Sequence, residues 1–280
     1  KKYTDVNIGG IANLLDILVN EKNSVKKIIA AGSMSSYGEG LYNCTSCGEF
    51  RPSLRNLDQM NSAEWEIKCP VCGKNSISLP IKENAALNAI SIYALTKKMQ
   101  EEMSLIIGKT YNIPVTVFRY FNVYGPRQSL SNPYTGVAAI FLSRLKNNRN
   151  PIIYEDGNQT RSFISVHDIV DANVVALESN KSNYKVFNLG SKQPISIGEV
   201  AKVLAKLVKK NIVPEITGKF RKGDIRHCSP DISLAKEVLG WEPKISFEDG
   251  MCQLIDWAEN VKAVDKFGLA DNELKSKGLL

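Results

Sequence analysis

Long apolar runs are missing from this sequence. Nowhere in its 280 residues do roughly 20 consecutive apolar side chains occur, the number a membrane-spanning helix needs. Its first ten residues, KKYTDVNIGG, hold no apolar core ahead of a small-residue cleavage site, so they do not read as a secretory signal. The expectation is a cytoplasmic protein with no membrane partner. Dense basic tracts are missing too. Thirty-six Lys and Arg against 29 Asp and Glu leave a formal charge of +7, but the cations are scattered and no aromatic-interleaved stripe accompanies them. That distribution argues against nucleic acid and suits an anionic small molecule. Six cysteines are too few and too uneven for a disulfide scaffold in a chain of this length. There is no internal repeat and no low-complexity segment.

What is present is an ordinary globular composition, 43% hydrophobic and 23% charged, long enough to bury a substantial core. Ile8, Ile11, Leu14, Leu15 and Leu18 share one helical face. The segment 27–32 then reads as a short buried strand, 91–108 as a helix, and 114–120 as a β-branched and aromatic strand. A helix near 167–178, a strand over 185–189, a helix near 196–210 and two further helices follow. Strand and helix in alternation predict an α/β fold, a parallel sheet covered by helices on both faces.

Residues 42–80 break that alternation. They are polar and turn-rich, as in an insertion hung from the end of a strand. They hold two knuckles, Cys44-x-x-Cys47-Gly48 and Cys69-x-x-Cys72-Gly73, each able to aim two thiolates at one ion. Four thiolates make the closed tetrahedral shell of a structural zinc site, with no open position for catalysis. A redox pair would need only one such knuckle. Zinc ribbons also bind nucleic acids, but Glu49, Arg51, Arg55, Asp58, Glu64 and Glu66 give this one mixed charge. Cys228 and Cys252 stand apart.

Two short patterns bear on chemistry. The first strand runs into Ser33-Met-Ser-Ser-Tyr-Gly38, and ligands of open α/β sheets lie at the carboxyl ends of strands. Taken alone this is an ordinary Ser-rich turn. In Tyr93-Ala-Leu-Thr-Lys97 the i, i+4 spacing puts a phenol and an ammonium on one helical face. The ammonium is expected to favour the phenolate and make a base usable near neutral pH. By itself that spacing is common.

In order, Ser33, Tyr37-Gly38, Tyr93-x-x-x-Lys97, Arg119-Tyr-Phe-Asn-Val-Tyr-Gly-Pro-Arg127, Gly157-x-x-x-Arg-Ser-Phe-Ile-Ser-Val-His-Asp168, Phe187-Asn-Leu-Gly190, Arg221-Lys-Gly-Asp224 and Leu239-Gly-Trp-x-Pro243 form a far more specific set. The sequence resembles the extended short-chain dehydrogenase/reductase family, in its nucleotide-sugar epimerase and dehydratase branch. The resemblance spans nearly all the chain outside the insertion and the last twenty residues. It implies a Rossmann-like doubly wound parallel sheet with its first strands missing, a smaller substrate-binding lobe, and NAD as cofactor. Residues 1–125, interrupted by 42–80, would form the NAD-binding part, and 126–280 mainly the substrate lobe, interleaved with the sheet. Tyr93 would be the general base, Ser33 would share its hydrogen bond, and Lys97 would bind the nicotinamide ribose. Asn7 and Tyr120 match positions lining the cofactor. Asn122, Arg161, Arg221 and Asp224 match positions that hold the diphosphate or nucleotide of a nucleotide-diphosphate sugar; Ser35, Gln128 and Arg226 are further substrate candidates. Planar guanidinium forks suit phosphate oxygens. Relatives often dimerise through a helix pair that includes the Tyr93 helix, so the resemblance implies a homodimer.

Similar dehydratases and decarboxylases carry carboxylates just after the position of Ser33. Ser33-Met34-Ser35 has none, which favours simple 4-epimerisation through a transient 4-keto sugar. The stretch 34–42 and the insertion resemble dTDP-L-rhamnose 4-epimerases, with UDP-glucose/UDP-galactose 4-epimerases the nearest competitor. A nucleotide-sugar reductase or dehydratase of the same family and an inactive nucleotide-sugar-binding protein are the other readings. The family's glycine-rich dinucleotide fingerprint is absent; Gly9-Gly10 falls inside a helix. A fragment of a longer protein is therefore expected.

Overall fold

A computed structural model describes all 280 residues. Its centre is a parallel sheet of three strands, Ile28–Ser33, Val115–Tyr120 and Lys185–Leu189, with Val115–Tyr120 in the middle. Side chains of the central strand alternate between faces, as the pleat requires. Val115 and Val117 pack with Ala30 and Leu105 on the side of helix Ile92–Thr110. Phe118 packs on the other side with Phe187, Ile169, Ala172 and Ala176, beneath helix Val166–Glu178. The sheet is thus covered on both faces. The central strand is therefore buried along nearly its whole length, and its polar side chains Thr116 and Arg119 are hydrogen-bonded, to the Ser182 carbonyl and to Glu101.

The largest apolar cluster lies elsewhere. It joins helices Val137–Lys146, Ile197–Leu207 and Phe247–Ala258 around Phe141, Leu142, Leu145, Leu204 and Leu254. The helix Val137–Lys146 was not among the elements expected from the sequence, although Val137, Ile140, Phe141, Leu142 and Leu145 carry the helical apolar spacing. The short strand Asn122–Tyr124 continues from the central strand and pairs in parallel with Phe163–Ser165, joining this cluster to the sheet. Three helices, not two, close the chain: Ser233–Leu239, Phe247–Ala258 and Phe267–Ser276.

The insertion folds as a small antiparallel sheet, Gly48–Phe50, Leu41–Cys44 and Ile77–Leu79, with Leu41–Cys44 in the middle. Its short helix Leu57–Asn61 is capped by Asn56, whose side chain accepts the Gln59 N–H. At the chain start, a π-type turn over Thr4–Gly9 runs directly into helix Gly10–Asn20, which keeps Gly9-Gly10 inside a helix as read from the sequence. No helix is long and apolar enough to cross a membrane.

Candidate functional site

Ser33 ends the first strand at the carboxyl edge of the sheet, and the chain turns at once through a 3-10 helix, Met34–Tyr37. The Ser33 hydroxyl caps that turn by accepting the Ser35 N–H at 3.2 Å and lies 2.8 Å from the Ser35 hydroxyl. Gly38 closes the turn at φ 71°, where an added Cβ would meet the Asn88 carbonyl oxygen at 2.3 Å. Only glycine fits there. Beneath the turn, Arg119 makes a buried two-pronged ion pair with Glu101 and donates to the Tyr37 hydroxyl at 2.6 Å; Tyr37 in turn donates to Asn188 at 2.8 Å. Those bonds fix the floor on which Ser33 and Ser35 stand.

Ser91 caps the helix that carries Tyr93, its side chain accepting the Ala94 N–H at 3.1 Å. Tyr93 therefore sits in the first turn, where the partial positive charge of the helix end favours an anion. Its ring packs edge-on to Tyr3 at 5.3 Å between centroids. Burial nevertheless pushes the phenol above its ordinary value, and the nearby Ser33 hydroxyl only opposes that shift. Lys97 does not supply the expected help. Its ammonium donates to the Ala31 carbonyl at 2.9 Å and to Gln100 at 3.0 Å, the acceptors within its reach, and burial lowers its own pKa. The expected lowering of Tyr93 by Lys97 is not present in this arrangement. Asn7 lies in the π-type turn and donates to Thr96 Oγ1 at 3.0 Å, beside the Tyr93–Lys97 face. Tyr120 donates to Asn173 at 3.0 Å.

Two adjoining cavities meet at this edge. One, of about 340 Å3, is lined by Ser33, Ser35, Ser91 and Tyr120 among others. The second, of about 260 Å3, is lined by Tyr154, Gln159, Arg221 and the start of helix Val137–Lys146. Asn122, Arg161 and Asp224 line both. Tyr93 lines neither and is linked to the first through Ser33. In the first cavity the sole carboxylate is Asp224, which accepts from Arg161 at 3.4 Å.

Several polar atoms here are buried without a partner: Asn122 Oδ1, Arg221 Nε, Gln159 Oε1 and, beside the cavity wall at Gly136, Gln128 Oε1. Buried polar groups are nearly always hydrogen-bonded, so a cluster of unpaired ones marks where a ligand completes the bonding. The Arg221 guanidinium carbon lies over the Tyr154 ring, 4.9 Å from its centroid. Arg161 is hung on the backbone, donating to Ile225 O at 2.7 Å and Arg226 O at 2.9 Å.

Arg226 requires a correction. It was a substrate candidate, but its side chain is fully buried away from the cavities, held by Glu66, Glu155 and Asp156. Burying a guanidinium demands such partners, and with its donors occupied none is left for phosphate. Residues missed in the sequence sit around it. Glu39 accepts the Arg226 and His227 N–H groups at 2.7 and 2.9 Å. His227 Nδ1 accepts the Thr160 N–H, so Nε2 carries the proton and donates to Glu66 at 3.1 Å. That bond, against burial and with Arg226 beside it, holds Glu66 at about 2.

In the insertion, the sulfurs of Cys44, Cys47, Cys69 and Cys72 lie within 4.8 Å of one another. Glycines at φ 85° and 73°, Gly48 and Gly73, turn each knuckle. A tetrahedron with metal–sulfur bonds of ~2.3 Å has edges of roughly 3.8 Å, so the donor set fits a tetrathiolate ion site. Three of the insertion's mixed charges, Arg51, Arg55 and Glu66, serve as clasps. Arg51 donates to the Tyr37 and Glu39 carbonyls, and Arg55 makes a two-pronged pair with Glu155 at 2.8 and 2.9 Å. Of the two lone cysteines, Cys228 is buried and Cys252 exposed.

The family model for GDP-mannose 4,6 dehydratase matches residues 71–254. The dTDP-L-rhamnose 4-epimerase of Burkholderia thailandensis is 34% identical over 258 residues, 91% of this chain and 69% of its own length. A UDP-N-acetylglucosamine 4-epimerase from Methanobrevibacter ruminantium, solved with UDP-N-acetylmuramic acid, superposes with a TM-score of 0.72 at 27% identity, over 91% of this chain and 69% of its own. A UDP-glucuronic acid 4-epimerase from Bacillus cereus, solved with UDP-glucuronic acid and NAD, gives 0.72 at 25% identity, over 93% and 69%.

Proposed function

Because the chain belongs to the GDP-mannose 4,6 dehydratase family, the nucleotide-sugar epimerases and dehydratases of the extended short-chain dehydrogenase/reductase fold, we propose that it is an NAD-dependent nucleotide-sugar 4-epimerase. One observation carries the choice of reaction. The cavity at Ser33 holds hydroxyls and amides, and its one carboxylate, Asp224, is paired with Arg161. Dehydration needs a carboxylate acid or base at the sugar, and none is free there; proton exchange at one hydroxyl needs only a phenol.

In this reading Tyr93 takes the proton of the C4 hydroxyl and Ser33 holds the same oxygen by a hydrogen bond. NAD, when bound, would supply the reversible hydride exchange at C4 that interconverting the two epimers through a 4-keto sugar requires. The residues fit that cofactor: the Lys97 ammonium has three donors, two engaged with Ala31 and Gln100, and one left for a ribose hydroxyl. Asn7 and Tyr120 flank the same edge. Asn122, Gln128, Arg161, Arg221 and Asp224, with Ser35 near the sugar, hold the nucleotide-diphosphate. Residues 1–125 without 42–80 then serve the cofactor, and most of 126–280 the substrate. The four cysteines hold a structural zinc ion that keeps the polar insertion folded. A homodimer forms through helices Gly10–Asn20 and Ile92–Thr110, which leave Leu14, Ile17, Leu95 and Ile106 exposed. The likeness to the Burkholderia enzyme makes dTDP-L-rhamnose the first sugar to test.

The test incubates the protein with NAD+ and separate samples of dTDP-L-rhamnose, UDP-glucose and UDP-galactose, following C4 by NMR and NADH by absorbance. Inversion without net NADH is the expected result. Net reduction of a keto sugar, or bound nucleotide sugar that never inverts, would overturn it in favour of a reductase or a binding protein.

A further inference from the structure

The cavity-lining residues Arg161 and Asp224 take their positions from the short segment 224–226. Arg161 is held by the Ile225 and Arg226 carbonyls and by Asp224 Oδ1, and Asp224 Oδ1 also accepts the Ile225 N–H at 3.0 Å. Glu39, Glu155 and Asp156 hold part of that segment, and the cysteine insertion holds the rest. Arg55, with a side chain 1% exposed, donates to the Asp224 carbonyl at 3.1 Å through the same nitrogen that grips Glu155. Its other terminal nitrogen bonds Glu155 at 2.9 Å and the Trp65 carbonyl at 3.1 Å. Glu66, also from the insertion, takes the far side of the Arg226 guanidinium and the His227 ring. Glu155 binds both Arg55 and Arg226, so the two clasps share one carboxylate.

We propose that Arg55 and Glu66 are positioning residues, through which the insertion sets the geometry of the nucleotide-diphosphate subsite at Arg161 and Asp224. Neither side chain is among the residues lining the two cavities. They act through backbone carbonyls and a buried ion pair, in which a guanidinium fork fixes direction as well as distance. This rests on the nucleotide-sugar reading above and assigns the insertion a part in it.

The test uses the full chain with Arg55→Ala, Arg55→Lys and Glu66→Gln, titrated with UDP and dTDP by calorimetry, alongside KM, kcat and Tm. The expected result is a Kd for the nucleoside diphosphate raised roughly tenfold in Arg55→Ala, partly restored in Arg55→Lys, and raised less in Glu66→Gln. KM should rise in step while kcat stays within about twofold. Unchanged Kd in a folded Arg55→Ala protein overturns the proposal, as does an equal fall in kcat. Should Arg55→Ala fail to fold, the Arg55→Lys and Glu66→Gln titrations decide by the same criterion. If the wild type inverts C4 while the variants bind normally, the positioning role alone falls. If the variants bind weakly but the wild type inverts no sugar, the role stands and the epimerase reading falls. A wild type that binds neither UDP nor dTDP overturns both.

Discussion

The flank of the site at Tyr93 and Lys97 is sparsely bonded, whereas the flank beside the cysteine insertion is nearly saturated. On the first, Tyr93 is 37% exposed, its pKa is raised by burial, and Lys97 rests on a strand carbonyl and a glutamine. On the second, Arg55 and Arg226 are met by Glu66, Glu155 and Asp156, with Glu39 on the adjoining backbone. The difference follows from what each flank does in the proposed reaction. Groups that meet the substrate must keep bonding capacity in reserve, while groups that hold a loop in place spend most of theirs on it: every donor of Arg226 is engaged, and Arg55 leaves only its Nε unpaired. Arg221 and Arg226 show the contrast within five residues: one keeps a buried Nε unpaired beside a cavity, the other has a side chain 0% exposed among carboxylates.

Four substitutions sharpen or break this comparison. The largest effect is expected on the sparse flank. Tyr93→Phe should lower turnover by about 10²–10⁴-fold, the usual worth of a general base, while nucleoside diphosphate binding stays within about threefold. Retained turnover would remove Tyr93 from the chemistry. On the saturated flank the expected loss is of stability. Arg226→Ala leaves Glu155 without one of its partners and should cost about 3–5 kcal/mol by denaturant unfolding, whereas Arg221→Ala should cost far less and weaken nucleotide binding instead. Equal stability losses would erase the distinction between the two arginines.

The smallest effect is in acid. Glu66 falls from an ordinary 4.5 to about 2, and Asp156, against the cost of burial and through Arg226, from 3.8 to about 2. Depressed carboxyl pKa values mean that stability is fully present above about 4.5 and drains away as pH falls toward 2. Thermal unfolding followed between pH 6 and 2.5, with metal content tracked in parallel, should show a steeper acid limb in the wild type than in Glu66→Gln. Superimposable acid limbs would mean that the clasp adds nothing.

Much of the fold was legible because its signals are local. Apolar strands of five or six residues and helices with a 3.6-residue period announce themselves within a short window, and so do paired Cys-x-x-Cys-Gly knuckles whose sulfurs converge within 4.8 Å. The helix Val137–Lys146 carries the same period, but the polar stretch before it obscures its start. The motif residues Asn122, Arg161, Arg221 and Asp224 meet around two cavities, and Ser33 stands at the carboxyl edge of its strand. Arg226 could not be judged in the same way. Its partners lie 70 to 160 residues away, and no short-range pattern distinguishes a guanidinium that faces phosphate from one that a fold has enclosed.

What the sequence by itself determined is the strands of the central sheet and most of the helices, the ordered motifs and the kind of chemistry they permit, since each depends on residue type and near spacing. Only the tertiary structure decided which like groups do which job. It turned Lys97 toward Ala31, enclosed Arg226, gave His227 its tautomer and bound the insertion to the 224–226 segment through Arg55 and Glu66. The physical reason is that a charged side chain takes its role from the donors and acceptors left within about 3 Å after the chain has folded, and those come from anywhere along it.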